Sequence, residues 1–254
     1  MNVLQTEALT INFGGLKAVD AVDFTIKDEV IGLLGPNGSG KTTFLNLVSG
    51  IYKPTSGKIV FEQADITGAG PNVVRKKGIA RTFQTNRLCL NLSIIDNLLL
   101  GLYSQQKATW WQSLLQPKRC NKELSRGIDK CLEILHHFNP SLVARAYEPI
   151  TAIPLIDRRR IEIARSIVGS PRLLLLDEPT AGLNAEETSQ IIGDIGKIRN
   201  GNEKISMIII EHDMVVISSI CHRVVVLNAG KKIADDCFSE VCKNEQVCKA
   251  YLGG

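Results

Sequence analysis

Gly35-Pro36-Asn37-Gly38-Ser39-Gly40-Lys41-Thr42, continued by Thr43, fits the pattern G-x-x-x-x-G-K-[ST] in full. It follows Val30-Ile31-Gly32-Leu33-Leu34, an unbroken apolar run of the kind buried on both faces of a sheet. It leads into a predicted helix over residues 41–49. In that setting the glycines let backbone N–H groups converge on phosphate oxygens, because no Cβ blocks the approach. The start of the helix adds positive potential. Lys41 is placed to reach the β- and γ-phosphates of ATP, and the Thr42 hydroxyl to meet Mg²⁺.

A second apolar run, Leu173-Leu174-Leu175-Leu176, ends in Asp177-Glu178. An Asp-Glu pair is ordinarily a solvated turn, but four leucines before it predict a buried strand with carboxylates at its carboxyl edge. Asp177 is then a partner for Mg²⁺, mostly through water, and Glu178 is placed to orient or deprotonate an attacking water. His212 follows Ile208-Ile209-Ile210-Glu211, and Gln84 follows Arg81-Thr82-Phe83. Either alone is a weak signal, but both stand at predicted strand ends.

Ahead of the loop, Val3-Leu4 and Leu9-Thr10-Ile11 on one side of Gly14-Gly15, with Val22, Phe24 and Ile26 on the other, predict antiparallel strands. Segments 58–61 and 78–83 read as further strands. Residues 86–160 differ in character. Ser93 with Asp96 resembles a capping box, and Leu124, Ile128, Cys131, Leu132, Leu135 and Phe138 recur at helical spacing. One domain over 1–254 is expected, with a nucleotide-binding core at 1–85 and 161–254 and a helical subdomain at 86–160. That insertion holds Trp110 and Trp111, for which internal packing and contact with a membrane or its proteins are both open. Beyond it come a helix at 158–168, a helix capped by Asn184, a strand at 205–210 and a helix capped by Asp213. A hairpin around Asn228-Ala229-Gly230 and a last helix opened by Ser239 complete the chain.

Of the 254 residues, 44% are hydrophobic and 22% charged, which argues for a packed domain over disorder. A net charge of +4 is too small to indicate nucleic acid by itself. Arg158-Arg159-Arg160 reads as a solvated helix start before it reads as a nucleic-acid contact. No apolar run approaches the roughly 18 residues of a spanning helix, and residues 1–13 show no basic region leading into an apolar core, so no signal peptide is expected. Seven cysteines without a CxxC pair are expected to stay reduced. Neither Cys242 with Cys248 nor the adjacent His136-His137 completes a metal set.

Taken in order, the glycine loop, Gln84, helical insertion, Asp177-Glu178, Ala181-Gly182-Leu183-Asn184 and His212 resemble the ATP-binding subunit of an ABC transporter over essentially the whole chain. Asn12-Phe13-Gly14-Gly15-Leu16-Lys17-Ala18-Val19, Arg81-Thr82-Phe83-Gln84, Ile210-Glu211-His212-Asp213-Met214 and the ending Lys249-Ala250-Tyr251-Leu252-Gly253 are similar to the branched-chain amino-acid importer ATPases, the LivG type. The resemblance implies an α/β fold, a P-loop NTPase ABC cassette with a RecA-like core, an N-terminal antiparallel β subdomain and an inserted α-helical subdomain. It implies hydrolysis of ATP coupled to transport. Phe13 would stack on adenine with Val19 packed near it. Gln84 would contact Mg²⁺ and the lytic water and relay nucleotide state to the membrane partner, and His212 would bond the γ-phosphate. Asn184 stands where most relatives carry Asp. Implied partners are transmembrane permease subunits, a second ABC ATPase and, indirectly, a periplasmic or surface binding protein, with no nucleic acid. The implied location is the cytoplasmic face of the plasma membrane. Urea or amide uptake, lipopolysaccharide export and a soluble non-transport role stay open as alternatives.

One segment departs from the family pattern. Where L-S-G-G-Q or L-S-Y-G-Q precedes the helix Arg159-Arg160-Ile161-Glu162-Ile163-Ala164-Arg165, this chain has Ile153-Pro154-Leu155-Ile156-Asp157. Pro154 removes a hydroxyl and an N–H, Ile156 adds a branched side chain where phosphate approach needs none, and Asp157 is expected to bring negative charge towards a γ-phosphate. By resemblance this segment closes over the loop of a second cassette. A heterodimer with a partner carrying an intact signature is therefore expected, unless other donors let the variant segment work normally.

Overall fold

A computed structural model of the chain describes residues 2–84, 87–103, 117–201 and 205–252. Strands β1 (Leu4–Phe13) and β2 (Leu16–Ile26) pair antiparallel. Strand β3 (Val30–Leu34) belongs to a second sheet, while β4 (Ser56–Phe61) and β5 (Ala64–Asp65) complete a four-stranded sheet in the order β2-β1-β4-β5. The second sheet adds β6 (Ile79–Arg81), β7 (Leu173–Asp177), β8 (Ser206–Ile210), β9 (Arg223–Asn228) and β10 (Lys231–Asp236). Its order is β10-β9-β3-β8-β7-β6, with every pair parallel except β9 and β10.

The central strands are apolar throughout because both faces are covered. Leu173 and Leu175 of β7, and Ile208 and Ile210 of β8, enter the core between the two sheets. Leu174 and Leu176, with Met207 and Ile209, enter a second core under the helices. The period-two alternation of a strand therefore feeds two cores at once. The first core holds an edge-to-face pair, Phe24 on Phe44, with centroids 5.2 Å apart.

The helices are α1 (Lys41–Val48), α2 (Pro71–Lys77), α3 (Ile94–Leu102), α4 (Pro117–Phe138), α5 (Ser141–Ala144), α6 (Leu155–Ile167), α7 (Ala185–Asn200), α8 (Met214–Ile220), α9 (Phe238–Lys243) and α10 (Glu245–Leu252). Ser93 caps α3 through the Asp96 amide, but the reciprocal half of the box differs: the Asp96 carboxylate accepts from the Ser93 hydroxyl at 2.5 Å. Asn184 and Glu187 form a complete box on α7. The single final helix expected from Ser239 is instead two. Asn244 interrupts it, and its side chain accepts the amides of Gln246 and Val247, a local bond that competes with helix continuation. The boundary expected at residue 160 falls inside α6, a continuous helix that packs on α3 and α4 as well as on β6 and α7. Trp110 and Trp111 lie outside the described residues.

The three arginines opening α6 are not a solvated run. Arg158 donates to the carbonyls of Ile153 and Thr151. Arg159 and Arg160 are buried. Arg160 donates to Asp157 and Asp194 at 2.9 Å each, and to Gln190, joining the start of α6 to α7. Breaking a buried pair from one side leaves charge without compensation. Arg160→Ala removes the ion pair of buried Asp157 and leaves Asp194 with the exposed Lys197 as its cationic partner, and is expected to lower unfolding free energy by about 3–5 kcal/mol in chemical denaturation; a loss under about 1 kcal/mol contradicts this assignment.

Candidate functional site

The loop after β3 is held in a shape that only glycine permits at two points. A Cβ on Gly35 (φ 146°) falls 2.1 Å from the Leu227 carbonyl oxygen, and one on Gly40 (φ 104°) falls 2.3 Å from that of Ala18. Lys41 is buried, and its ammonium donates to the carbonyls of Gly35 at 2.7 Å and Pro36 at 2.9 Å. Burial pushes Lys41 below the ordinary lysine value, while the nearby charges of Glu178 and Asp177 oppose that shift. Behind the loop, the Tyr251 hydroxyl of α10 accepts the Gly35 N–H at 2.8 Å.

Parallel strand order decides what faces this loop. The spatial sequence β3-β8-β7-β6 sets the phosphate loop, His212, Glu178 and Gln84 side by side at the carboxyl edge. Glu178 turns off β7 in the left-handed region, φ 49°, uncommon for a residue with a side chain. Its N–H is fixed on the Ile210 carbonyl at 3.0 Å. Gln84 Nε2 donates to Glu178 Oε2 at 2.8 Å, and His212 Nε2 lies 2.9 Å from Glu178 Oε1. A carboxylate only accepts, so the His212 Nε2 carries the proton in that bond. Strain at such a position costs about 1–3 kcal/mol and persists only where the surroundings hold it.

These groups line one cleft of 670 Å³. Asn37, Gly38, Ser39, Gly40, Lys41, Thr42 and Thr43 form its floor, Gln84, Glu178 and His212 one wall, and Phe13 with Leu16, Lys17 and Ala18 the other. Phe13 is 46% exposed and forms a T-shaped pair with Tyr52, ring centroids 5.3 Å apart. Val19, expected beside the base, is fully buried in the core behind this wall, and Lys17 and Ala18 line the cleft there. Gly35 and Pro36 lie at the back of the loop, where their carbonyls hold Lys41.

Asp177 is buried behind Glu178. Its Oδ2 accepts from Arg81 Nη2 at 2.8 Å, whereas Oδ1 has no hydrogen-bond partner. The Ser39 hydroxyl is likewise buried without a partner. Unpaired buried acceptors are costly, and two of them beside a phosphate loop fit a hydrated divalent cation and an anionic ligand. Among the described residues no cluster of three His, Cys, Asp or Glu could hold a metal ion independently of such a ligand.

Sequence reasoning assigned no site role to Arg81, Arg159 or Tyr251, although all three stand in motifs that it quoted. Arg159 pairs with Glu162 at 3.1 Å and donates to the carbonyls of Gln84 and Ala181, bracing the wall from α6. Asp157 also differs from expectation. It is 8% exposed, paired with Arg160 and bonded by Asn139, so its charge is consumed within the fold instead of pointing outward. Pro154 precedes the first turn of α6 as its cap residue, and Leu155 is exposed beside Gly182.

Residues 19–181 match the family described as ABC transporter. The high-affinity branched-chain amino acid transport ATP-binding protein LivG of Salmonella typhimurium is 35% identical over 99% of this chain and 98% of its own. The lipopolysaccharide export system ATP-binding protein LptB of Haemophilus influenzae is 32% identical over 100% and 98%. A crystal structure of a nucleotide-free ATP-binding cassette from an ABC transporter superposes with a TM-score of 0.85 at 27% identity, covering all of both chains. Replacing Tyr251 by Phe removes the acceptor of the Gly35 amide alone. It is expected to cost about 1–3 kcal/mol and to speed amide hydrogen exchange at Gly35; unchanged exchange there removes α10 as a support of the loop.

Proposed function

Because the chain belongs to the ABC transporter family of ATP-binding proteins, whose members hydrolyse ATP to drive transport, we propose that it is the motor subunit of an importer for branched-chain or other hydrophobic amino acids, working with Mg²⁺. The observation that carries the chemistry is the Glu178 carboxylate suspended between Gln84 and His212 across a cleft from the glycine loop. The substrate class rests on the LivG relative, which aligns from end to end. Lipopolysaccharide export is the second reading, kept by the 32% relative.

In this reading the loop amides and Lys41 receive the triphosphate, and Phe13 packs on the base. Thr42, Gln84 and Asp177 are the residues that would hold Mg²⁺, which would neutralise phosphate charge. Glu178 orients the attacking water and takes its proton. His212 and Gln84 fix the direction of that carboxylate, and His212 is within reach of the γ-phosphate side of the cleft. Gln84 also lies at the start of the segment leading to the helical part, which suits it to report nucleotide state to a permease. No described helix is long and apolar enough to cross a membrane, so the proposed association with the cytoplasmic face runs through permease subunits.

The second cassette is proposed to be a different chain. Pro154 and Ile156 still lack the donors and the clearance of the family signature, although Asp157 no longer counts against phosphate approach. A heterodimer then has one competent site, on this chain's loop.

Three experiments test this reading. Lys41→Ala is expected to weaken nucleotide affinity, while Glu178→Gln keeps affinity and lowers turnover by about 10²–10⁴-fold; a Glu178→Gln variant that turns over normally removes the assigned base. The chain purified alone is expected to hydrolyse ATP slowly, with activity rising when a partner ATPase bearing an intact signature and the permeases are added. Brisk, cooperative hydrolysis by the isolated chain would sink the heterodimer. Labelled leucine uptake by cells with and without the chain separates amino-acid import from lipopolysaccharide export.

A further inference from the structure

Arg81 is a long cation buried where the chemistry needs negative charge free for a metal. Its side chain is 5% exposed and that of Asp177 3%, and the two sit on neighbouring parallel strands, β6 and β7. Nη2 bonds Asp177 Oδ2 at 2.8 Å. Nη1 bonds Asn46 Oδ1 at 2.7 Å and Ser49 Oγ at 3.1 Å. Both of those partners belong to the turns at the end of α1, the helix that opens with Lys41-Thr42. The Phe83 ring lies 5.1 Å from the guanidinium and covers it. The guanidinium thus measures a fixed distance between the carboxylate strand and the helix of the Thr42 hydroxyl. A lysine, one point charge on a flexible stem, could not make these bonds together.

The consequence concerns the two oxygens of Asp177. Oδ2 is committed to Arg81, and Oδ1 alone is unpartnered. A carboxylate with one oxygen to give serves a cation, directly or through water, as a single ligand. Mg²⁺ binds in that way, with near-octahedral geometry and few carboxylates, whereas Ca²⁺ takes six to eight oxygens and readily accepts a carboxylate through both. We propose that Arg81 is a positioning residue that sets cation selectivity: by holding Asp177 to one available oxygen, it favours a small octahedral cation over Ca²⁺. This rests on the reading that Asp177 serves Mg²⁺. It assigns Arg81 no contact with nucleotide or water.

The experiment is Mn²⁺ binding to the full chain with ADP, followed by electron paramagnetic resonance, with displacement by Mg²⁺ and by Ca²⁺. In the wild type Mg²⁺ displaces Mn²⁺ in preference to Ca²⁺. Arg81→Gln frees Asp177 Oδ2, and the ratio of Mg²⁺ to Ca²⁺ affinity falls by about 10–100-fold, the range seen when outer-shell partners of a metal ligand are lost. ADP affinity in EDTA is unchanged. Arg81→Lys, which keeps the charge, loses a smaller part of the preference. An unchanged ratio in Arg81→Gln overturns the assignment of Arg81 and leaves Asp177 untouched. A wild type that holds Mn²⁺ no better than free ADP overturns the metal reading itself. If Arg81→Gln does not fold, as judged by its thermal transition, Arg81→Lys decides the matter. A lysine cannot bond Asp177 Oδ2, Asn46 and Ser49 together, and a wild-type Mg²⁺ to Ca²⁺ ratio in that variant overturns the proposal.

Discussion

A strand covered on both faces has no room for charge along its length, so whatever polar chemistry it carries must stand at its ends. Four such strands, β3, β8, β7 and β6, lie next to one another and run in the same direction. Their carboxyl ends therefore form a single polar edge on four largely apolar strands, and each leads into one group lining the cleft: the glycine loop, His212, Glu178 and Gln84. The order in space is not the order in sequence. His212 comes last along the chain but sits between the loop and Glu178, because β8 inserts between β3 and β7. The left-handed turn at Glu178 completes the arrangement by aiming its side chain across the edge.

Behind that edge lies a layer of buried arginines. Arg81 ties the Asp177 carboxylate to α1, Arg159 ties α6 to the carbonyls of Gln84 and Ala181, and Arg160 ties α6 to α7. Each guanidinium carries several donors in a fixed plane, so one side chain can hold two or three elements at once. The links made by Arg159 and Arg160 start from helix α6, which packs on the helical part and on the core alike. A rotation of the helical part would have to move the main chain at Gln84 and Ala181 with it. By contrast, the thiols of Cys131 and Cys221 are pushed up to about 12 by burial and stay out of the chemistry.

The variant segment 153–157 shows how a local departure is absorbed. Asp157, which by itself reads as an unwelcome charge, is neutralised by Arg160 and bonded by Asn139. Pro154 costs nothing at the cap of α6, where no intrahelical N–H is required. The helix stands with Pro154 at its cap, so the departure leaves the fold intact.

The sequence by itself determined the two cores, the phosphate loop and the strand-end placement of Asp177, Glu178, His212 and Gln84. Each of these rests on a local rule: apolar runs bury, glycines open the backbone, and carboxylates cannot enter a covered strand. It also carried the caps at Asn184 and Asp213, which need only neighbours within three residues. What tertiary structure alone decided is everything set by partners distant along the chain. Arg81 meets Asp177 across 96 positions, and Tyr251 meets Gly35 across 216. Val19 turned inward while Ala18 faced the cleft, and two of three consecutive arginines that read as a solvated helix start, Arg159 and Arg160, became internal struts. A pairwise bond of that kind depends on where strands and helices come to lie, and no period or motif along the chain records it.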